Sequence, residues 1–177
     1  MRVVFDTCVL VPSFLRAVLL ACAETGNVEF IVSPRILEEW GRAAKTYLQR
    51  FEAETAVAQF RLKFAITIRP DPVSLVQFWL PDPDDIHILA FAVHQHADVI
   101  VTHNKKDFPQ GELSSYGIER IDPDAFLRRL LKQHGAKIAS ATQPIMAEVR
   151  AAHVNLSESD IWRKAWLPQF GRLIKKL

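Results

Sequence analysis

The chain is short of cysteine, of net charge and of long uncharged apolar runs, and each shortage excludes a class of protein. Two cysteines in 177 residues, Cys8 and Cys22, are too few for a disulfide framework, so a reduced cytoplasmic interior is the expectation. No segment approaches about 18 uncharged apolar residues, which argues against a membrane span. Asp6 and Arg16 break the apolar N-terminus, so it lacks the continuous core of a secretory leader. No repeat or low-complexity tract is present. His87, His94, His96 and His103 do not have the spacing of a zinc site. A net charge of +2 does not describe a wholly basic nucleic-acid binder.

What is present is about half apolar, 49% of residues, enough for one globular domain with an appendage. The charge is uneven. Residues 134–177 hold seven Lys/Arg against three Asp/Glu, which leaves the body before them slightly acidic. Arg163, Lys164, Arg172, Lys175 and Lys176 in this tail are candidate contacts for nucleic acid or for a partner. Trp162 and Trp166 are candidates for base stacking, although packing is the plainer role for both.

Apolar runs at 2–5, 28–33 and 98–102 read as buried parallel strands, with a last short strand at 117–121. A further strand is possible at 65–69. Helical spacing predicts helices at 13–25, 34–49, 53–65, 84–96 and 123–133, with helical character at 73–79 between prolines. Ser33-Pro34 is a strong helix start. Strands alternating with helices predict an α/β sandwich around a mostly parallel sheet over 1–133, followed by a helical C-terminal extension over 134–177.

Ligands of such sheets bind beyond the carboxyl ends of the strands, and Asp6 stands at that end of the first strand. In "SPRILEEW", Ile36 and Trp40 mark the buried face of a helix. Glu39 lies nearer that face than Glu38. In "PDPDDIHILAFAV", Asp85 shares a face with Ile88, Leu89 and Ala92, while Asp82 and Asp84 read as caps. In "VIVTHNKKDF", Thr102, Asn104 and Asp107 follow another strand's end. Four acidic segments at one rim would repel one another, and a divalent cation relieves that repulsion. Oxygen donors without a Cys/His cluster suit Mg²⁺ or Mn²⁺.

The ordered set "VVFDTCVLV", "SPRILEEW", "PDPDDIHILAFAV" and "ADVIVTHNKKDFP" resembles the PIN domain of VapC-like toxin nucleases over roughly residues 2–130. The resemblance implies a three-layer α/β/α fold, metal-dependent RNA cleavage and a small antitoxin partner, and it allows a homodimer. Carried over position by position, it implies catalytic roles for Asp6, Glu39, Asp85 and Asp107. Metal binding would fall to Asp6, Asp85 and Asp107, with Asn104 where many members have Asp. Thr7 and Thr102 would give support. Lys105 and Lys106 adjoin the site and would contact the RNA backbone. Cys8 replaces the Asn or Ser of many members, which predicts one polar contact fewer beside Asp6. The alternative is a PIN-like binding or scaffold module that has lost catalysis, for which Asn104 is the supporting feature. A haloacid dehalogenase-type phosphatase wants a second Asp where Cys8 stands, and a Cys phosphatase wants an Arg where Phe14 stands.

Overall fold

The computed structural model describes residues 1–43 and 46–177. Its elements run β1 (Arg2–Phe5), α1 (Thr7–Leu10), α2 (Ser13–Thr25), β2 (Glu29–Ile31), α3 (Pro34–Arg42), α4 (Tyr47–Lys63), α5 (Ile86–His94), β3 (Val99–Val101), α6 (Gln110–Ser114), β4 (Glu119–Ile121), α7 (Pro123–His134), α8 (Ala136–Ala152), α9 (Glu158–Lys164) and α10 (Pro168–Ile174). They form two compact units. One contains residues 1–11 and 29–120, the other 12–28 and 121–177. Among the described residues no helix is long and apolar enough to cross a membrane.

The first unit is built on a parallel sheet of order β2-β1-β3-β4. Val3 pairs with Phe30 on one side of β1 and with Val99 on the other. Val3, Val4 and Phe5 are at most 1% exposed, which explains why β1 is apolar at every position rather than alternating. Phe5 stacks on Phe30 at 5.9 Å, and Phe30 meets the edges of Phe60 and Phe64. Trp40 of α3 and Phe60 of α4 join edge to face at 5.8 Å, so the aromatic cluster ties both helices to the sheet. The result is the expected α/β architecture: a parallel sheet flanked by helices, followed by C-terminal helices.

Several boundaries differ from the sequence expectation. The helix expected over 34–49 ends at Arg42, and part of its expected length, residues 44 and 45, lies outside the described residues. A new helix starts at Tyr47 because Thr46 and Gln49 form a reciprocal capping box. The stretch 65–69 is a 3-10 turn, Ala65–Thr67, with a single bridge between Ile68 and Val32. No helix forms over 73–79. Pro72 and Pro81 leave too little chain to nucleate one, and Val73 and Val76 are fully exposed. The helix expected from residue 84 opens as a 3-10 turn, Pro83–Asp85, before α5.

The second unit is helical. Trp162 of α9 packs between Phe14 of α2 and Phe170 of α10, at 5.2 and 5.4 Å. A Cβ on Gly171 would come within 2.3 Å of Trp162 Cγ, so only glycine admits this approach. The buried carboxylate of Asp124 in α7 accepts hydrogen bonds from the Gln169 and Phe170 amides at 3.1 and 2.8 Å, which ties down the start of α10. Trp162 is thereby core, whereas Trp166 is 58% exposed. Of the basic tail residues, Arg163 pairs with Asp160, Arg172 with Gln169, and Lys175 donates to Ser159 Oγ at 2.8 Å.

Candidate active site

The acidic side chains at the rim of the first unit come from four segments, each set by local rules. Asp6 follows β1 and caps α1, accepting from the Cys8 amide. Its carboxylate is buried and accepts two further hydrogen bonds. The Thr102 hydroxyl donates at 2.5 Å and the Cys8 thiol at 3.0 Å. Cys8 therefore keeps a polar contact with Asp6, contrary to the expectation of one fewer. Burial and the Asp6 charge push that thiol up to about 12, so it stays protonated and remains a donor.

Ser33 caps α3 through the Ile36 amide and fixes the helix phase. Glu38 then pairs with Arg42 on the exposed side. Glu39 turns to the rim, where Thr7 donates to its Oε2 at 3.0 Å and Arg35 lies 3.6 Å from its Oε1. His87, 2% exposed, stands at the same oxygen. Its Nδ1 lies 2.7 Å from the Asp84 carbonyl and must carry the hydrogen, because a carbonyl only accepts. Its Nε2 lies 3.1 Å from Glu39 Oε1. Partial burial pushes the Glu39 carboxyl up. The His87 ring, the Thr7 hydroxyl and the Arg35 guanidinium outweigh that and hold it below its ordinary value.

The proline turn before α5 presents Asp82 and Asp85, and the loop after β3 presents Asp107. Carboxylate oxygens of these three residues all lie within 4.8 Å of one another. Asp82 also accepts from the Asp84 amide at 3.0 Å, the capping role its sequence context predicts, yet it belongs to the cluster as well. Asp85 is pushed up to about 7, first by burial, then by the charges of Asp6, Asp82 and Asp107. Asn104 links the parts. Its Oδ1 accepts from the Asp107 amide at 3.2 Å and its Nδ2 donates to Asp85 Oδ2 at 3.0 Å. Its own amide donates to Thr102 Oγ1 at 2.9 Å, so Thr102 joins the Asn104 loop to Asp6.

Lys105 and Lys106 are exposed on that loop. Arg120 of β4 holds the loop from beneath, donating to the Lys105 and Phe108 carbonyls at 3.1 and 2.7 Å. Sequence reading did not single out Asp82, His87 or Arg120. Asp82 was legible only as a cap, His87 sits in an apolar helix, and Arg120 reaches the loop across fifteen residues.

A buried Asp6, an anionic Glu39 and a cluster of three further carboxylates make an acid-lined rim on a parallel α/β sheet. A family model described as "PIN domain" matches residues 2–106, and the chain belongs to the PIN-domain family. A Mycobacterium tuberculosis protein named "Putative ribonuclease VapC50" is 51% identical over 43 residues, 24% of this chain and 25% of that protein. The chain thus spans about a quarter of the length of that relative. No solved structure gives a significant match.

Proposed function

We propose that the chain is a divalent-metal-dependent endoribonuclease, the toxin of a toxin–antitoxin pair acting in the cytoplasm on RNA and restrained by a small antitoxin. The observation that carries this reading is the convergence of Asp82, Asp85 and Asp107 within 4.8 Å beside Asp6. Burial, and then carboxylates held this close, raise the pKa of Asp85, and a hard cation with oxygen ligands, Mg²⁺ or Mn²⁺, is the group such a donor set fits. Membership of the PIN-domain family and the ribonuclease name of the mycobacterial relative support it.

Asp85 and Asp107 would hold the cation, with Asp82 and Asp6 completing the negative field. Asn104 orients Asp85 and the Asp107 backbone. When bound, the cation supplies acidification of water and neutralisation of phosphate charge. Glu39, kept anionic by its three neighbours, accepts a hydrogen bond from the attacking water and orients it. A carboxyl held low is a weak base, so positioning is its larger contribution. Lys105 and Lys106 meet the RNA backbone. Residues 1–133 would carry this chemistry, and the extension from 134 would serve recognition.

The test is cleavage of a mixed RNA panel with Mg²⁺, with Mn²⁺ and with chelator, using Asp85→Asn as the control for contaminating nuclease. Metal-dependent cutting that disappears in the variant is expected. Cutting that survives both chelator and the variant would refute the reading.

A further inference from the structure

Helix α9 ends in a turn whose geometry favours glycine, and the chain puts tryptophan there. The Leu167 amide donates to the Trp162 carbonyl at 2.9 Å, and the Trp166 amide to the Arg163 carbonyl at 3.1 Å. These are the two bonds of a Schellman motif, whose closing residue takes the left-handed conformation. Trp166 does so, at a φ of 57°. That conformation is strained for a residue with a bulky side chain and free of strain for glycine. The turn therefore gains nothing from an indole. The core is served by the next residue instead, since Leu167 is fully buried while Trp166 is 58% exposed. Backbone strain of this kind gathers at binding sites.

The surroundings of the indole select the ligand. Trp166 borders a groove of about 280 Å³ whose lining includes Phe14 of α2, Val149 of α8, Leu156, Ile161 of α9 and Lys164. The apolar lining suits a flat, uncharged ring, and the indole face offers that ring a stacking partner. Lys164 brings a positive charge to the same groove, next to an Arg163 already engaged with Asp160. The helical unit as a whole holds eleven Lys/Arg against six Asp/Glu, so its field attracts anions. A flat ring joined to a negative charge is the chemistry of a nucleotide in a single strand, whose base is free to stack. A purely apolar partner would make no use of the charge.

We propose that Trp166 and Lys164 form a single-stranded RNA subsite on the helical extension, where the indole stacks on one base and the ammonium meets a phosphate. The ligand class rests on the proposed action on RNA. The subsite uses no residue of the acidic rim, so it grips the strand without cutting it.

Fluorescence anisotropy with a labelled single-stranded RNA of about twelve nucleotides tests this. The full chain is used in EDTA, with Asp85→Asn as the parent so that the strand stays intact. Trp166→Gly is expected to bind about tenfold more weakly or worse. It should keep the fold by circular dichroism, because glycine suits the turn. Trp166→Phe, which restores an aromatic face, should return to within about threefold of the parent. A strand of equal length without bases should bind Trp166→Gly and the parent alike. Lys164→Gln should lower the salt slope of the affinity by about 0.7, the loss of one phosphate contact on a single strand. A parent that leaves the strand unbound would overturn the proposal. So would an affinity indifferent to Trp166→Gly, a loss that Trp166→Phe does not restore, or an equal loss with the strand lacking bases. The nuclease reading fails separately: Trp166-dependent binding by a chain that cuts no RNA would refute that reading and leave this subsite standing.

Discussion

Asp85 makes the protein less stable wherever it is ionised and no cation is bound, and Asp85→Asn isolates that cost. In the folded chain its pKa is raised from 3.8 to about 7. Between those values the folded state binds more protons than the unfolded one. Stability therefore falls as pH rises from about 4 to 7, and the full penalty remains above 7. Three units would amount to about 4 kcal/mol. The side chain is only half-buried, so solvent screening reduces this to about 1–2 kcal/mol. Asparagine keeps the shape, and its Oδ1 still accepts from Asn104 Nδ2, which now bonds Asp85 at 3.0 Å. Asp85→Asn is expected to raise the Tm of the chelator-treated protein at pH 8 by about 3–6 °C. The gain should shrink at pH 5, where the wild-type group is mostly protonated when folded. Differential scanning fluorimetry at both pH values with EDTA reads this directly. Added Mn²⁺ should then lift the wild type by more than the variant. A variant less stable than wild type at pH 8, by the same margin as at pH 5, would show that the carboxylates do not repel as described.

On the proposed metal-dependent reading, the same proton governs cation affinity. By calorimetry, Mn²⁺ binding should weaken up to about tenfold per pH unit below 7, and the dependence should flatten in Asp85→Asn. Glu39→Gln should reduce RNA cleavage by about 10²-fold or more. Glu38→Gln, which loses only an exposed pair with Arg42, should stay within about twofold, and the reverse pattern would place the functional carboxylate on the other face of α3. Gly171→Ala forces a methyl into Trp162 and should destabilise the helical unit by about 1–3 kcal/mol in urea unfolding.

Much of this arrangement is legible in the linear chain because it rests on short-range rules. A strand apolar at every position ending in Asp6 reads as a buried strand with a carboxylate at its rim. Ser33-Pro34 sets the phase of α3, and that phase alone separates Glu39 from Glu38. What was missed depends on competing local signals or on distant contacts. Thr46 and Gln49 carry a capping signal that splits the helix expected over 34–49, but the helical periodicity on either side masks it. Around 73–79 the apolar spacing mimics a helix, and the prolines decide otherwise. Asp82 reads as a cap because it is one. Nothing local shows that the oxygens of a capping carboxylate also reach Asp85 and Asp107. The grouping of α2 and α7 with the C-terminal helices arises from contacts distant in sequence, such as Phe14 with Trp162 and Asp124 with the Gln169 and Phe170 amides.

Asp82 also bears on the neutral residue at 104. Resemblance to PIN-domain nucleases places an acid there in many members, so Asn104 looks like a lost charge. The geometry gives a different account. The rim is strongly negative without an acid at 104, because the turn before α5 contributes Asp82 as well as Asp85. With burial, and then Asp6, Asp82 and Asp107, already raising Asp85 to about 7, another acid at 3.0 Å would add repulsion that an uncharged amide avoids. The amide also does what a carboxylate cannot, since it accepts from the Asp107 backbone with one atom and donates to Asp85 with the other. An acid at 82 beside an amide at 104 thus keeps the site strongly negative and braces the turn before α5 against the loop after β3. Asn104 is on these grounds an organising residue of an acidic site, and its neutrality does not argue for lost catalysis.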